Sequence, residues 1–397
     1  MMIIRWSRGL FAAVLVPCAY AYACAGTAWA EGESPAAANP ALRWQAVPRI
    51  EGRLSAAQIG LVINEDDPYS VAVGEHYIAK RGLLPAQVLR LRFAPRPSLS
   101  PPEFAPLREQ IQAHFNAGGG GVGIQALALA WRMPWAVACN SITSAVTLGF
   151  DAEQCVNGCA RGRSSPYFAH PTALPYNRLG LRPSMLLAAD SVDSALEMID
   201  RGVASDGHLG KRFSPWVEAV FVSTPDAARN VRAVNFPPST RLNAPRVEVR
   251  SERQRGSPER QPGGEPMVLY QTGAVSVQPM RGFFFAPGAV ADHLTSTAGV
   301  LDGSSGQMSA TRWIEAGATA SYGTVSEPCN HVQKFPQPQL LLQTLLQGST
   351  VLEAYWKSVA WPAQGVFIGE PLAAPFASTW ATPPSASPSS SASAADR

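Results

Sequence analysis

Charged residues are scarce in this 397-residue chain: Asp, Glu, Lys and Arg together make up 15% of it, and the formal net charge is +3. Two of the positive charges, Arg5 and Arg8, lie within the first thirty residues, so the remainder is almost neutral. The sequence has no sustained basic face. This argues against nucleic acid or an anionic membrane surface as the partner.

The sequence also lacks an apolar segment long enough to anchor it in a membrane, which takes about 20 apolar residues. Residues 9–26 are apolar, but Pro17 interrupts them and the small-x-small sequence AWA follows at 28–30. This order is typical of a signal peptide. We therefore expect residues 1–30 to be a Sec-type signal peptide cleaved after Ala30, and the mature protein to be periplasmic or secreted, with no integral membrane segment.

Internal repeats are absent, and low-complexity sequence is confined to the end of the chain. Residues 377–397 are rich in Ser, Pro and Ala and lack apolar side chains to bury, so we expect a disordered tail. Residues 31–56 are expected to form an N-terminal extension. Residues 57–376 are expected to form a single large α/β domain, and the alternative is two lobes that meet near 180–240.

Six cysteines are present, and four of them follow the predicted signal peptide. In an exported chain an even number favours disulfides, and four cysteines allow three pairings. The sequence CVNGC would close a small loop with a glycine to permit the turn, so we favour Cys155 with Cys159, which leaves Cys139 for Cys329. C-x3-C is not a recognised zinc arrangement, and neither a metal nor a cofactor is expected.

Short apolar runs alternate with helix-length segments along the chain. Residues 58–63 read as a buried strand, and the next segment has Asp67 and Pro68 as helix-start signals and Gly82 as a stop signal. Further strands are predicted at 88–91, 124–131, 185–190, 218–224, 246–250, 268–271, 282–285 and 317–322, and further helices at 102–116, 191–202, 225–234, 338–347 and 351–358. Strand–helix alternation predicts a three-layer α/β sandwich with a mostly parallel sheet.

Small polar clusters stand where three of these strands end, which is where open α/β sheets bind ligands. The sequence GAVADHLTS leads to the first cluster, GATASYGTVSEPC to the second, and the strand at 58–63 to the third. The candidate ligand-binding residues are Asn64, Asp66, Asp67, Thr295, Ser296 and Ser326. Capping of the following helix is an alternative role for Asp66 or Asp67.

The chain resembles an uncharacterised family of exported bacterial proteins. The resemblance covers residues 57–376 and rests on VINEDDPYS, NSITSAVTLGFD, SPYF, RPSMLLAA, DRGVASDG, DAARNVRA, PGAVADHLTS, GATASYGTVSEPC and EAYWKSV. The start of the domain, the GATASYG strand and the closing GEPL are also similar to the gingipain-type branch of caspase-like peptidases. That resemblance implies a six-stranded, mostly parallel sheet with a nucleophile at a strand end, so the expected fold is caspase-like or flavodoxin-like.

The gingipain-type resemblance fits this chain in two registers. In the first, His293 is the general base and Cys329 the nucleophile, with Asp292 or Glu327 orienting the imidazole. In the second, the histidine position falls near residues 271–273 and the cysteine position near residues 291–292, and neither has the required residue.

The second register and the even cysteine count favour a degenerate fold that binds a ligand or partner in the cell envelope, such as an envelope peptide or polymer. The alternative is a thiol or carboxylate hydrolase of the cysteine-peptidase type. It would use His293 with Cys329, or Asp66 with Glu327.

Overall fold

The computed structural model describes residues 43–117, 123–211, 213–254, 264–278, 280 and 282–378. The predicted signal peptide, the first part of the N-terminal extension and the tail from residue 379 lie outside these ranges. No helix in the described ranges is both long enough and apolar enough to cross a membrane.

The strands and helices follow the alternation that the sequence predicts. The strands are β1 Ile59–Asn64, β2 Val88–Leu91, β3 Ser98–Leu99, β4 Ala126–Leu129, β5 Ala136–Val137, β6 Asn140–Ser141, β7 Ser184–Leu186, β8 Val217–Ser223, β9 Thr240–Asn243, β10 Arg246–Arg253, β11 Met267–Gly273, β12 Phe285–Leu294, β13 Ala320–Thr324 and β14 Gly365–Gly369. The helices are α1 Pro68–Arg81, α2 Pro101–Ala117, α3 Ile142–Leu148, α4 Glu153–Val156, α5 Pro175–Leu179, α6 Val192–Ser205, α7 Thr311–Glu315, α8 Pro338–Leu346 and α9 Val351–Ser358.

Within the described residues, eleven strands form one sheet in the order β2-β1-β4-β7-β14-β13-β12-β11-β8-β10-β9. Most neighbours are parallel, whereas β14 runs antiparallel to β13 and β9 runs antiparallel to β10. The short strands β3, β5 and β6 form a separate small sheet. The α/β class and the mostly parallel sheet are confirmed, but the sheet is larger than the six strands that the resemblance implies.

Helices cover both faces of the large sheet. Asp292 and His293 are neighbours in β12, so their side chains point to opposite faces. Asp292 meets Tyr355 of α9, whereas His293 meets Trp313 of α7. The helices α7 and α9 therefore belong to different layers, which gives the expected three-layer arrangement.

The carboxyl ends of several strands share one edge of the sheet. Arg132 follows β4, Asp190 follows β7, and both line one cleft together with Gln307. The side chain of Gln307 accepts a hydrogen bond from Thr295, which follows β12. This edge is the part of an open α/β sheet where a ligand is expected.

One predicted helix is wrong. Of the segment 225–234, only the 3-10 helix Val231–Asn235 forms. The side chains of Asp226 and Asn230 bond the backbone N–H groups of Arg229 and Thr224, which competes with helical hydrogen bonding. The strand predicted at 282–285 is also misplaced, because β12 begins at Phe285 and continues to Leu294.

Candidate functional site

Asn64 at the end of β1 joins this strand to the segment after β2. Its Nδ2 donates to the carbonyl of Phe93 at 2.8 Å, and its Oδ1 accepts from the backbone N–H of Phe93 at 3.2 Å. The side chain is fully buried. Asn64 therefore fixes the shape of the strand ends, and its amide is occupied by main-chain groups.

The two aspartates after Asn64 have separate partners. Asp66 forms an ion pair with Arg92 at 2.8 Å, and Asp67 Oδ1 accepts from the backbone N–H of Tyr69 at 3.0 Å. Asp67 is thus the N-cap of α1, the role weighed as an alternative for it. Burial raises the pKa of Asp67.

Asp292 belongs to a buried polar cluster between β11, β12 and α9. Its carboxylate lies 2.5 Å from Arg232 Nη1 and accepts from Gln271 Nε2 at 2.9 Å. Arg232 also donates to the carbonyl of Thr272 at 2.8 Å. Burial raises the pKa of Asp292, while Arg232 opposes that rise. The contacts tie the segment after β8 to the middle of the sheet.

His293 lies on the opposite face, beneath α7. Its Nδ1 accepts from the indole N–H of Trp313 at 3.0 Å, and 2% of the residue is exposed. Burial, together with the positive charge of Arg232, lowers the pKa of His293 to about 3. The imidazole is therefore neutral at physiological pH, and the nitrogen that could accept a proton already accepts a hydrogen bond.

Thr295 and Ser296 form a hydrogen-bonded turn after β12. The hydroxyl of Thr324 donates to the carbonyl of Ser296 at 2.9 Å. The hydroxyl of Thr295 accepts from Arg229 Nε at 2.9 Å and donates to Gln307 Oε1 at 2.8 Å. Thr295 therefore does not line the cleft itself but holds the side chain of Gln307, which does.

The segment SEPC after β13 lies against the cysteine-containing loop. Ser326 Oγ donates to the carbonyl of Cys139 at 2.7 Å, and Glu327 Oε1 accepts from the backbone N–H of Cys329 at 2.8 Å. Cys329 adopts a left-handed backbone conformation with φ of 53°. Each of the predicted site residues in this segment thus has a contact that holds the local structure.

All four cysteines of the described ranges form disulfides, but the expected pairing is wrong. Cys139 is bonded to Cys155, and Cys159 is bonded to Cys329. Lys334 donates to the carbonyl of Gly158 at 2.5 Å and so holds the CVNGC loop beside the SEPC segment. Tertiary contacts, and not closeness in sequence, decide which sulfur atoms meet.

The structure does not bring the predicted catalytic residues together as a nucleophile and base. Cys329 is bonded to Cys159, while His293 Nδ1 is occupied by Trp313. Asp66 and Glu327 also have different partners, Arg92 and the backbone of Cys329. No cluster of three or more His, Cys, Asp or Glu side chains in the described part of the chain is arranged to hold a metal ion.

A polar cleft of about 530 Å³ lies beside α7, at the edge of the sheet where the carboxyl ends of the strands meet. Arg132 Nη1 donates to the carbonyl of Asp190 at 3.1 Å, and Arg312 Nη1 lies 3.5 Å from Asp190 Oδ2. Glu315 accepts from the backbone N–H of Asp190 at 3.1 Å, which fixes the turn after β7 against α7. The other lining residues are Ser276, Gln278, Leu301, Asp302, Gly303, Gly306, Gln307, Met308, Ser309 and Thr311.

The sequence contains part of the signal for this cleft. Arg132 directly follows one predicted strand and Asp190 is the last residue of another, so the rule that ligands bind at strand ends selects both. The segment 301–312 carries no comparable signal. Its position over the strand ends depends on the fold of the chain between β12 and β13.

No protein-family model and no curated protein matches this sequence. Among solved structures, the chain is similar to the crystal structure of the Arg-specific cysteine proteinase gingipain R, with a TM-score of 0.38 and 10% sequence identity. The match covers 82% of this chain and 80% of the gingipain chain. At this level of similarity, it carries no conclusion about the site or the activity.

Proposed function

We propose that this protein is an exported binding module that holds a small, carboxylate-bearing ligand, such as a short peptide, in the cleft of Arg132 and Arg312. The observation that carries the proposal is the cleft itself. It lies at the strand edge where α/β sheets bind ligands, and its volume falls in the ordinary range for ligand sites.

The two arginines of the cleft, whose lining also contains the carboxylates of Asp190 and Asp302, support a ligand with a carboxylate. Arg132 contacts the backbone carbonyl of Asp190, and Arg312 contacts its carboxylate. A guanidinium group has five N–H donors in a planar fork that matches a carboxylate, so each arginine has donors beyond these contacts. Asp190 therefore holds the guanidinium groups of Arg132 and Arg312 beside the same cleft.

The neutral side chains of the cleft support a ligand with amide groups. Gln278 and Gln307 each offer a donor and an acceptor, and Ser309 offers a hydroxyl. Among the lining residues that the structure describes, none is an aromatic side chain on which a sugar ring would stack. Peptide chemistry fits these groups better than carbohydrate chemistry.

The contacts of the predicted catalytic residues favour binding over hydrolysis. A disulfide sulfur is not a nucleophilic thiolate. The imidazole of His293 is buried against Trp313, and Asp292 is paired with Arg232. Within the part of the chain that the structure describes, these side chains stabilise the sheet and its helices. This agrees with the hypothesis of a hydrolase-like fold that lacks the cysteine–histidine dyad.

Export to the periplasm or the medium is the second part of the proposal. Two disulfides support it, because such bonds persist in oxidising compartments. The basic start, the apolar segment 9–26 and the AWA sequence support cleavage after Ala30. An envelope location would give the cleft access to envelope peptides.

The cleft is tested by calorimetric titration with a tripeptide that ends in a free glutamate, compared with the same tripeptide ending in glutamine amide. We expect the acidic peptide to bind and the amide to bind at least tenfold more weakly. Arg132→Gln and Arg312→Gln should each weaken acidic-peptide binding by about tenfold, since a hydrogen bond to a charged group contributes about 1.5–3 kcal/mol.

The matched control is Arg92→Gln, which removes an exposed arginine that pairs with Asp66 outside the cleft. This variant should bind the acidic peptide as the wild type does. Failure of both peptides to bind, or an equal loss in the control, would reject the cleft as the site.

A further inference from the structure

The orientation of the Gln307 side chain is fixed by two donors that lie outside the cleft. Its Oε1 accepts from the backbone N–H of Thr297 at 2.9 Å and from the hydroxyl of Thr295 at 2.8 Å. The two ends of a side-chain amide have the same shape, but a backbone N–H can only donate. The end of Gln307 that faces Thr297 is therefore its oxygen, and the nitrogen lies on the other side of the amide.

A series of hydrogen bonds that all run in one direction holds this oxygen. Thr295 Oγ1 accepts from Arg229 Nε at 2.9 Å, because a guanidinium group has no acceptor. The hydroxyl proton of Thr295 is then left for Gln307 Oε1. Arg229 itself is held by Asp226, whose Oδ2 lies 2.9 Å from Arg229 Nη1. The amide of Gln307 therefore cannot turn over without losing both hydrogen bonds to its oxygen.

Gln307 has donors, and no acceptor, left for a ligand. A carbonyl oxygen has two lone pairs, and Thr295 and Thr297 use both of them. Gln307 Nε2 is open to solvent, and within the described ranges it has no protein partner. The N–H groups of Gln307 are therefore the part of this side chain that is available in the cleft it lines.

Ser309, which also lines the cleft, repeats this pattern. Its Oγ accepts from the backbone N–H of Thr311 at 3.3 Å and from the hydroxyl of Thr311 at 3.0 Å. Both lone pairs of Ser309 Oγ are thus used, and its own proton remains to be donated. The guanidinium groups of Arg132 and Arg312 are donors in any orientation. Four residues of the lining therefore offer a ligand hydrogen-bond donors alone.

We propose that Gln307, together with Ser309, is a specificity-determining residue of the cleft that accepts only a hydrogen-bond acceptor of the ligand. The ligand is then a carboxylate that carries a second carbonyl or carboxylate oxygen for these two side chains. A ligand that presents an N–H at this place brings two donors together, so it loses the hydrogen bond after both groups have lost water. The inference rests on the proposed function and narrows it, since the acceptor of Gln307 is already used.

The test uses two tripeptides with a free C-terminal carboxylate and the same net charge. One ends in glutamine, whose side chain can accept and donate; the other ends in the γ-methyl ester of glutamate, whose side chain can only accept. Both have a carbonyl for Gln307, so we expect the wild-type full chain to bind them within about threefold of each other in calorimetric titration.

Gln307→Glu should introduce a preference between the two peptides. One carboxylate oxygen keeps the bonds from Thr295 and Thr297, and the other presents an acceptor where the wild type presents donors. We expect the variant to bind the glutamine peptide at least about tenfold more tightly than the ester peptide, because only the amide can donate to Glu. General repulsion by the new charge affects both peptides equally and cancels in this ratio.

The matched control is Gln278→Glu, which makes the same change at another glutamine of the cleft. Gln278 Nε2 has a weak acceptor, Met308 Sδ at 3.9 Å, so its amide is not fixed as that of Gln307 is. This variant should bind the two peptides within about threefold of each other. Gln307→Met, which has neither N–H nor carbonyl in its side chain, should weaken both peptides at least threefold and by the same factor, and it decides the matter if the glutamate variant does not fold.

The outcomes separate the inference from the proposed function. If the wild type binds both peptides but Gln307→Glu shows no preference, or Gln307→Met binds unchanged, the inference is overturned and the cleft remains a binding site. A wild type that prefers the glutamine peptide tenfold, or an equal preference in the Gln278→Glu control, also overturns it. If the wild type binds neither peptide, the proposed function fails and the inference fails with it.

Discussion

Asp292 and His293 show that residues of catalytic type can serve the fold. They are adjacent in β12, and each reaches a different layer, Asp292 toward Arg232 and His293 toward Trp313. A buried charge requires a partner, and Arg232 supplies it. Breaking that pair by replacing one partner would leave the other charge uncompensated in the core.

At the residue scale, the titration of His293 gives a prediction for stability. Burial holds the pKa of His293 at about 3 in the folded chain, whereas an unfolded histidine has a pKa of about 6.5. The unfolded chain therefore binds this proton first as the pH falls. The stability that the neutral, buried His293 contributes is fully present above about pH 6.5 and is lost progressively as the pH falls to about 3.

We expect His293→Gln to remove this loss, because glutamine can accept the Trp313 hydrogen bond without titrating. Between pH 7 and pH 4, the wild type should lose about 3 kcal/mol more unfolding free energy than the variant does. Urea unfolding at a series of pH values measures the difference. The control, His208→Gln, removes an exposed imidazole; equal pH slopes in the wild type and His293→Gln would contradict the prediction.

At the scale of elements, the contact between α1, α6 and the end of β14 depends on a glycine. Arg81 at the end of α1 pairs with the buried carboxylate of Glu370 and with Asp206 after α6. Gly202 in α6 lies directly over Glu370, and a Cβ at Gly202 would come within 2.6 Å of the Glu370 Cβ. The close approach of α6 to β14 therefore requires the absence of a side chain.

We expect Gly202→Ala to destabilise the fold by about 1–3 kcal/mol through overpacking, although alanine is the better helix former. The comparison variant Ala204→Gly, at an exposed position of the same helix, should lose about 0.5–1 kcal/mol through helix propensity alone. Unfolding free energies of both variants measure this. An increase in stability for Gly202→Ala would show that α6 can move away from Glu370.

At the scale of the whole molecule, the disulfides join distant parts of the chain. The bond between Cys159 and Cys329 spans 170 residues and links the loop before α5 to the segment after β13. The bond between Cys139 and Cys155 spans 16 residues. Both lie near the carboxyl ends of the strands, so they hold the loops that surround this edge of the sheet.

We expect the mature protein to begin at Glu31 and to have no free thiol when it is denatured without a reductant. After reduction, four thiols should appear. N-terminal sequencing and thiol titration of protein recovered from outside the cytoplasm check both expectations. A start at Met1 would contradict export with cleavage, and a free thiol at Cys329 would return the cysteine mechanism to consideration.

The sequence predicted the elements well where local signals agree with the fold. Asp67, Pro68 and Gly82 mark the start and end of α1, since a side-chain cap, a fixed φ and a left-handed glycine act within a few residues. The helix predicted at 225–234 is wrong because the side chains of Asp226 and Asn230 bond backbone N–H groups of their own segment. The ion pair of Arg232 with Asp292, sixty residues away, has no local pattern that predicts it.

The sequence by itself determined the α/β class, the strand–helix alternation and the strand ends at which to look, because periodicity and capping are local properties. Tertiary structure alone decided the pairing of the cysteines, the burial of His293, the cleft formed by Arg132 and Arg312, and the contact of residues 43–50 with the glutamines of α8. Each of these depends on which distant segments meet. Proximity in space removes water, fixes charge partners and selects the sulfur atoms that bond, and none of these effects has a signature in neighbouring residues.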